Sequence, residues 1–418
     1  MAIIQPPKIE PVQTSLFGGD KIKDIANFLL EHYHIRTSVH DPSKKYIECK
    51  DADRKGIPCT DSEISLHLAA NNINVGDALL RKILRSPYYI PQCNPINDYF
   101  ESIRGKWKGT SAIDNLCSHI TFREWDDKPE YFYTERATNL FKKWLVACVA
   151  QWVGERQNDV CLGLIQAKGG SGKTWLSEWL LPEALKDYYC QSKNEDQKFS
   201  LDDVYTRYMI INFEELDGLK KSTINTFKKN QSALFIETKL RHEEFATRKR
   251  RIACSILNTN MNQENGGWIQ PFYGSDTRRF GNIELTQLDQ SYSQKLDVNQ
   301  IWSEALTLYE SKSYNYIFTE EDYDDFNEYN QRYRAETDAM RKVQMYIVAP
   351  DTDDEGEKLS ATEILQRLVQ QRRIKSDENI TAQKIGHALS ALGFDECKYR
   401  SKAHNNEPRS GYHVKFLE

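Results

Sequence analysis

Three short apolar runs set the pattern of the middle of this chain: VCLGLIQ (160–166), YMIINFEEL (208–216) and RIACSILNTN (251–260). None alternates cleanly between apolar and polar positions. Runs of this kind predict strands covered on both faces, and strands separated by helical segments predict a parallel α/β sheet. The segment GKTWLSEWLLP has helical spacing and stops near Pro182. On the N-terminal side, DKIKDIANFLLEHY and TDSEISLHLAANNINVGDALLRKILRS space their apolar residues as helices do. HIRTSVHDPSKKYIEC between them reads as a short strand pair. Residues 21–115 are therefore expected to form a small α+β unit. Residues 116–155 are expected to be largely helical, and ATNLFKKWLVACVAQWVGE is too densely apolar for a surface helix. Residues 295–345 return to helix, so 116–345 is taken as one large domain. Residues 346–358, including APDTDDEGEK, read as an acidic linker, and 359–418 as helix, helix and hairpin. Residues 1–20 are punctuated by Pro and Gly and are expected to be a disordered tail.

Composition narrows the class. The chain has 418 residues, 28% of them charged, and a net charge of −5. It carries no apolar run near 20 residues and no signal-peptide layout at its start, which points to a cytoplasmic protein. The nine cysteines contain no C-x-x-C pair, and Cys117 with His119 lacks a second ligand pair at zinc spacing. Such a set fits a reducing compartment. The negative charge means that any nucleic-acid contact comes from local basic patches.

The candidate chemistry begins at AKGGSGKT (167–174), which departs from G-x-x-x-x-G-K-[ST] only at Ala167. A phosphate-binding loop needs a buried strand before it, glycines that let the backbone approach phosphate, a lysine and a hydroxyl. Gly169, Gly170, Ser171, Gly172, Lys173 and Thr174 fill these roles, with the three glycines expected to supply positive φ and Thr174 to ligand Mg2+. A methyl at Ala167 fits if its φ stays negative. About 40 residues on, the second strand ends in Glu214 and Glu215, one carboxylate for the Mg2+ shell and the next to polarise water. The third strand ends in Asn260, placed to sense a γ-phosphate. Arg278 and Arg279 precede another apolar stretch, and serve either as a structural ion pair or as a finger reaching a neighbouring subunit's phosphate.

This ordered set resembles the superfamily 3 helicases of the AAA+ class, and within them the virulence-associated protein E family of phages, satellites and mobile elements. The segments carrying the resemblance are NPINDYFESI, FKKWLVACVA, AKGGSGKT, NFEELDGLKKSTINTFKK, RRIACSILNTN and DTRRFGNIEL, over roughly residues 90–345. Members tend to have glycine where Ala167 stands. The resemblance implies a P-loop AAA+ core, ATP and Mg2+, a homo-hexameric ring and DNA unwinding or translocation in a bacterial cytoplasm. It assigns FKKNQSALFIETKLRHEEFATRKRRIAC to a pore hairpin for single-stranded DNA. Lys239, Arg241 and His242 would lie near its tip, with Arg248, Lys249, Arg250 and Arg251 on the return. Relatives often carry a primase-polymerase domain, for which the first 115 residues are too few, so priming would fall to a partner.

Two further segments add expectations. Residues 359–418 read as a winged helix opened by Ser360 with Glu363 three residues on. Lys384 and His387 would lie on its recognition helix and Lys398, Arg400, Lys402 and Arg409 on its wing, for duplex DNA or for a protein partner. Gln13, Leu16 and Phe17 in QTSLF resemble the short peptides that dock onto bacterial sliding clamps. A rival to the helicase is a nucleotide-switched loader, initiator or excision factor without unwinding activity, built on the same ATP site.

Overall fold

The computed structural model describes residues 20–51, 59–154, 156–192, 200–214, 221–238, 246–270, 276–350, 356–375, 379–400 and 407–417. Tail residues 1–19 fall outside them, and so does any statement about their order.

The N-terminal unit opens with the helix Asp20–His32. It runs straight into β1 (Tyr33–Ser38), which pairs antiparallel with β2 (Lys45–Cys49) and parallel with β3 (Gln92–Cys93). Two helices follow β2, Asp61–Ala70 and Asp77–Arg85, within the segment whose apolar spacing reads as helical. Thr60 caps the first through a capping box with Glu63. Ile25, Leu29, Ile35, Ile47, Ile64, Leu80 and Leu84 form a core of their own.

The central sheet is built from β4 (Ile120–Phe122), β5 (Cys161–Ile165), β6 (Tyr189–Ser192), β7 (Ile210–Glu214), β10 (Cys254–Thr259) and β11 (Phe280–Leu288), in the order β4-β11-β5-β10-β7-β6. All neighbours are parallel except β4, which runs antiparallel along β11. The apolar runs have a simple cause. In β5, Leu162 and Leu164 enter one core with Trp144, Leu145 and Ile256, while Cys161 and Ile165 enter the opposite core with Phe213, Leu257 and Phe280. Both sides of the pleat meet apolar layers, so neither set of alternating positions is polar. The helix Phe132–Val153 supplies much of the first core, as its density predicted.

β8 (Phe235–Thr238) and β9 (Thr247–Arg250) form a separate antiparallel hairpin. Its base is tied into the domain by Arg251, which is 0% exposed. Its guanidinium donates to Gln231 O at 2.9 Å, Gln151 Oε1 at 2.9 Å and Asn158 O at 2.7 Å. Arg250 donates to the carbonyls of Gln151 and Gly154. These two cations, read from the sequence as part of a DNA track, instead satisfy buried oxygens where the chain leaves the hairpin for β10.

In the C-terminal unit β15 (Pro408–Phe416) pairs antiparallel with β14 (Glu396–Arg400), β13 (Glu357–Leu359) and β12 (Ile347–Val348). The helices Ala361–Gln370 and Ala382–Ala391 cover this sheet, and the predicted Ser360–Glu363 capping box is present. Residues 346–358, expected as an acidic linker, contribute β12 and β13. Two apolar residues, Ile347 and Val348, suffice to extend an open strand edge although the stretch around them is acidic. The helix Asp338–Tyr346 also packs here, since Ala339, Val343 and Ile347 share a core with Leu368, Leu389 and Val414. Similarly, Ile96, Phe100 and Ile113 join the central core rather than the N-terminal one. Strand β6 was not anticipated: four residues, two of them polar, carry little pattern.

Arg251→Ala would remove the guanidinium donors to the buried carbonyls of Gln231 and Asn158 and one of two donors to Gln151 Oε1. It is expected to lower unfolding stability by about 3 kcal/mol, measured by denaturant melting of the whole chain.

Candidate functional site

Because β5, β10 and β7 are adjacent and parallel, their C-terminal ends open on one edge of the sheet. The loop that leaves β5 holds the glycines. Gly170 has φ +72° and Gly172 φ +94°, conformations that a side chain would strain. Gly169 is not left-handed, contrary to expectation; a Cβ there would meet only Asn260 Nδ2, at 3.7 Å. Ala167 is exposed and is not among the positive-φ residues, so its methyl is accommodated where glycine is usual.

Lys173 opens the helix Lys173–Trp179 and is only 6% exposed. Its ammonium donates to Asn260 Oδ1 at 2.8 Å and to Ser171 Oγ at 3.3 Å. No carboxylate among the described residues lies in ion-pair range of it. Burial pulls its pKa down to about 8, against a smaller upward pull from Glu214. Next to it, Thr174 Oγ1 donates to Glu214 Oε1 at 2.9 Å. Ser177 donates to the Lys173 carbonyl and accepts from Asn258 Nδ2 at 3.1 Å, which locks the first turn of the helix onto β10. The sheet edge therefore collects a buried cation with no ion-pair partner among the described residues, a hydroxyl–carboxylate pair and two left-handed glycines. A buried cation of this kind suits a polyphosphate. The Thr174–Glu214 pair suits a hard divalent ion whose remaining ligands are phosphate and water oxygens. No cluster of three or more His, Cys, Asp or Glu side chains suited to a metal occurs among the described residues.

Two participants escaped the sequence reading. Asn265 donates to the Ala167 carbonyl at 3.1 Å and to the Asn260 carbonyl at 2.8 Å, bracing the loop after β10 against the glycine loop. The asparagine-rich NTNMNQEN was the available signal. Gln290 lies over Gly172, where an added Cβ would sit 2.8 Å from its Nε2. No local pattern marks it, because a tertiary return brings it there.

The arginine pair lies at the other end of the sheet. Cys161 N donates to Arg279 O at 2.7 Å, so Arg278 and Arg279 stand where β5 begins. The strand separates them from the glycine loop by about 17 Å. Arg279 donates to Ser232 Oγ at 3.0 Å, and both arginines lie 3.6 Å from Asp276. Glu215, Lys239, Arg241 and His242 of the expected pore hairpin, Lys402 of the expected wing, and Gln13, Leu16 and Phe17 fall outside the described residues. Arg248 is exposed and lies over the Phe235 ring. In the C-terminal unit Lys384 and His387 are exposed on one helix, and Lys398, Arg400 and Arg409 on the β14–β15 hairpin.

A family model described as the virulence-associated protein E-like domain matches residues 100–335. The chain is also similar to the apo structure of the NrS-1 C-terminal region, at 12% identity and a TM-score of 0.43, over 96% of this chain and all of that one. An A-form apo structure of the same region matches at 12% identity and a TM-score of 0.43, over 94% of this chain and 99% of that one. No curated protein matches.

The lysine pKa gives a pH prediction. An anion holds the lysine protonated and raises its pKa, so binding is full below about 8 and weakens as pH rises through that value. Affinity for magnesium tripolyphosphate should fall about tenfold per pH unit above it. Lys173→Arg, always charged, should flatten the profile. Calorimetric titration between pH 7 and 9.5 reads both.

Proposed function

This chain belongs to the virulence-associated protein E-like family, which its residues 100–335 match, and from that premise we propose that it is an ATP-driven DNA helicase or translocase acting in replication of a phage-like or mobile element. The observation that carries the reading is the pairing of Lys173 with Asn260 beside the pairing of Thr174 with Glu214, on the shared ends of three parallel strands. The order β11-β5-β10-β7-β6 supports a P-loop AAA+ core, with the glycine loop after β5, the acid at the end of β7 and the amide at the end of the strand between them. The fit to a nucleotide rests on a lysine withdrawn from water whose ammonium donates to the neutral oxygens of Asn260 and Ser171.

In this proposal Gly169, Gly170, Ser171, Gly172, Lys173 and Thr174 hold the phosphates of ATP. Thr174 and Glu214 hold Mg2+. Bound Mg2+–ATP supplies the anhydride bond whose hydrolysis drives the cycle. Lys173 neutralises the terminal phosphates, and Asn260 keeps its ammonium aimed. Glu215 takes the proton of the attacking water. Arg278 or Arg279 completes a neighbour's site, since about 17 Å of strand keeps the pair from its own loop. A closed ring, taken as a hexamer, provides that neighbour. Lys239, Arg241 and His242 then line the path of a single strand. The C-terminal unit acts as a winged helix that offers Lys384, Arg400 and Lys402 to duplex DNA. Gln13, Leu16 and Phe17 tether the ring to a sliding clamp, and a separate primase supplies primers, in the bacterial cytoplasm.

The test is ATP turnover with and without single-stranded DNA. The proposal expects stimulation by the strand. Lys173→Ala should abolish nucleotide binding, and Glu215→Gln should retain binding while turnover falls at least about 100-fold. Slow turnover indifferent to DNA would replace the helicase by a nucleotide-switched loader.

A further inference from the structure

The phosphate-side contacts all occupy one flank of the helix Lys173–Trp179. Lys173 reaches Asn260 at the end of β10, Thr174 reaches Glu214 at the end of β7, and Ser177 reaches Asn258 within β10. A helix turns about 100° per residue. Trp175 is therefore rotated about 200° from Lys173 and faces away from β10. It is 54% exposed. Among the described residues its indole has no ring or cation partner.

Trp175 does have a companion on that face. Trp179, four residues on, lies on the same side and packs edge-on against Tyr292 with ring centroids 4.9 Å apart. Tyr292 belongs to the segment that follows β11. Two residues earlier in that segment, Gln290 covers Gly172. The segment is fixed by Asp289, which accepts from His119 Nδ1 at 2.9 Å and from Ser291 Oγ at 2.6 Å. It thus borders the helix from Trp179 to the glycine turn, and Trp175 stands between those two contacts. With β10 and β7 on the flank that holds the terminal phosphates, the Gln290-bordered side is the one left open to the nucleoside. The feature waiting there is a free indole, whose face suits a base ring.

We propose that Trp175 stacks on the base of the bound nucleotide, and that it favours purines because they offer the larger ring face. This rests on the nucleotide reading given above. A stack uses the face of the base and not its edge, so adenine and guanine nucleotides should be held comparably.

The test compares ADP with inorganic pyrophosphate, each with Mg2+, by calorimetric titration of the full chain and of Trp175→Ala and Trp175→Phe. Neither ligand turns over, and they differ only by the nucleoside. Trp175→Ala should weaken ADP roughly 5- to 100-fold and leave pyrophosphate unchanged, and Trp175→Phe should keep most of the ADP affinity. CDP should lose less than ADP in Trp175→Ala. Unchanged ADP affinity in Trp175→Ala, or equal losses for ADP and pyrophosphate, would overturn the stack and leave the phosphate site standing. Binding of neither ligand to the unaltered chain would overturn the nucleotide site, and the stack with it.

Discussion

Parallel pairing of β5, β10 and β7 is the constraint on which the rest of this molecule depends. In an antiparallel sheet the ends of adjacent strands alternate in direction, and no three neighbours could deliver their C-terminal residues to one edge. Here they do, so Asn260 beyond β10 and Glu214 at the end of β7 reach the adjacent residues Lys173 and Thr174 beyond β5. That arrangement requires both faces of the sheet to be covered. The helix Phe132–Val153 covers one face, and Ile224, Phe227, Trp268, Tyr329 and Tyr333 cover the other.

The same burial that builds the sheet governs the charge at its edge. Lys173 is held out of water by the strands beneath it, and desolvation favours its neutral form at a lower pH than for a free lysine. An anion removes that penalty. The loop thus holds a desolvated charge beside a backbone that Gly170 and Gly172 let approach a ligand closely.

Strands covered on both faces announce themselves as apolar runs, which is why β5, β7 and β10 were legible and their order of chemistry with them. The glycine loop was legible because few residue types allow a left-handed turn. Less was visible wherever tertiary context decides. RKRR at 248–251 reads as four equal cations, yet Arg248 is exposed while Arg251 is buried among carbonyls, and only the exit of the chain into β10 separates them. Gln290 reaches Gly172 through a return that no local spacing encodes. Strand β6, with Cys190 between polar or amphipathic neighbours, has no period long enough to detect.

The C-terminal unit gives a different lesson. Its composition suggests a seam in the acidic run around residues 349–358, but its core borrows Ala339, Val343 and Ile347 from before that run. The unit's first strand, β12, is laid down before the seam and closed by the last residues of β15. For any exchange of this module between chains, that core matters more than the acidic run does. A crossover within 349–358 would hand the new host a sheet lacking one edge and leave the donor with an apolar helix face that has nothing to cover it. Only an exchange placed ahead of Thr337 carries the module away whole.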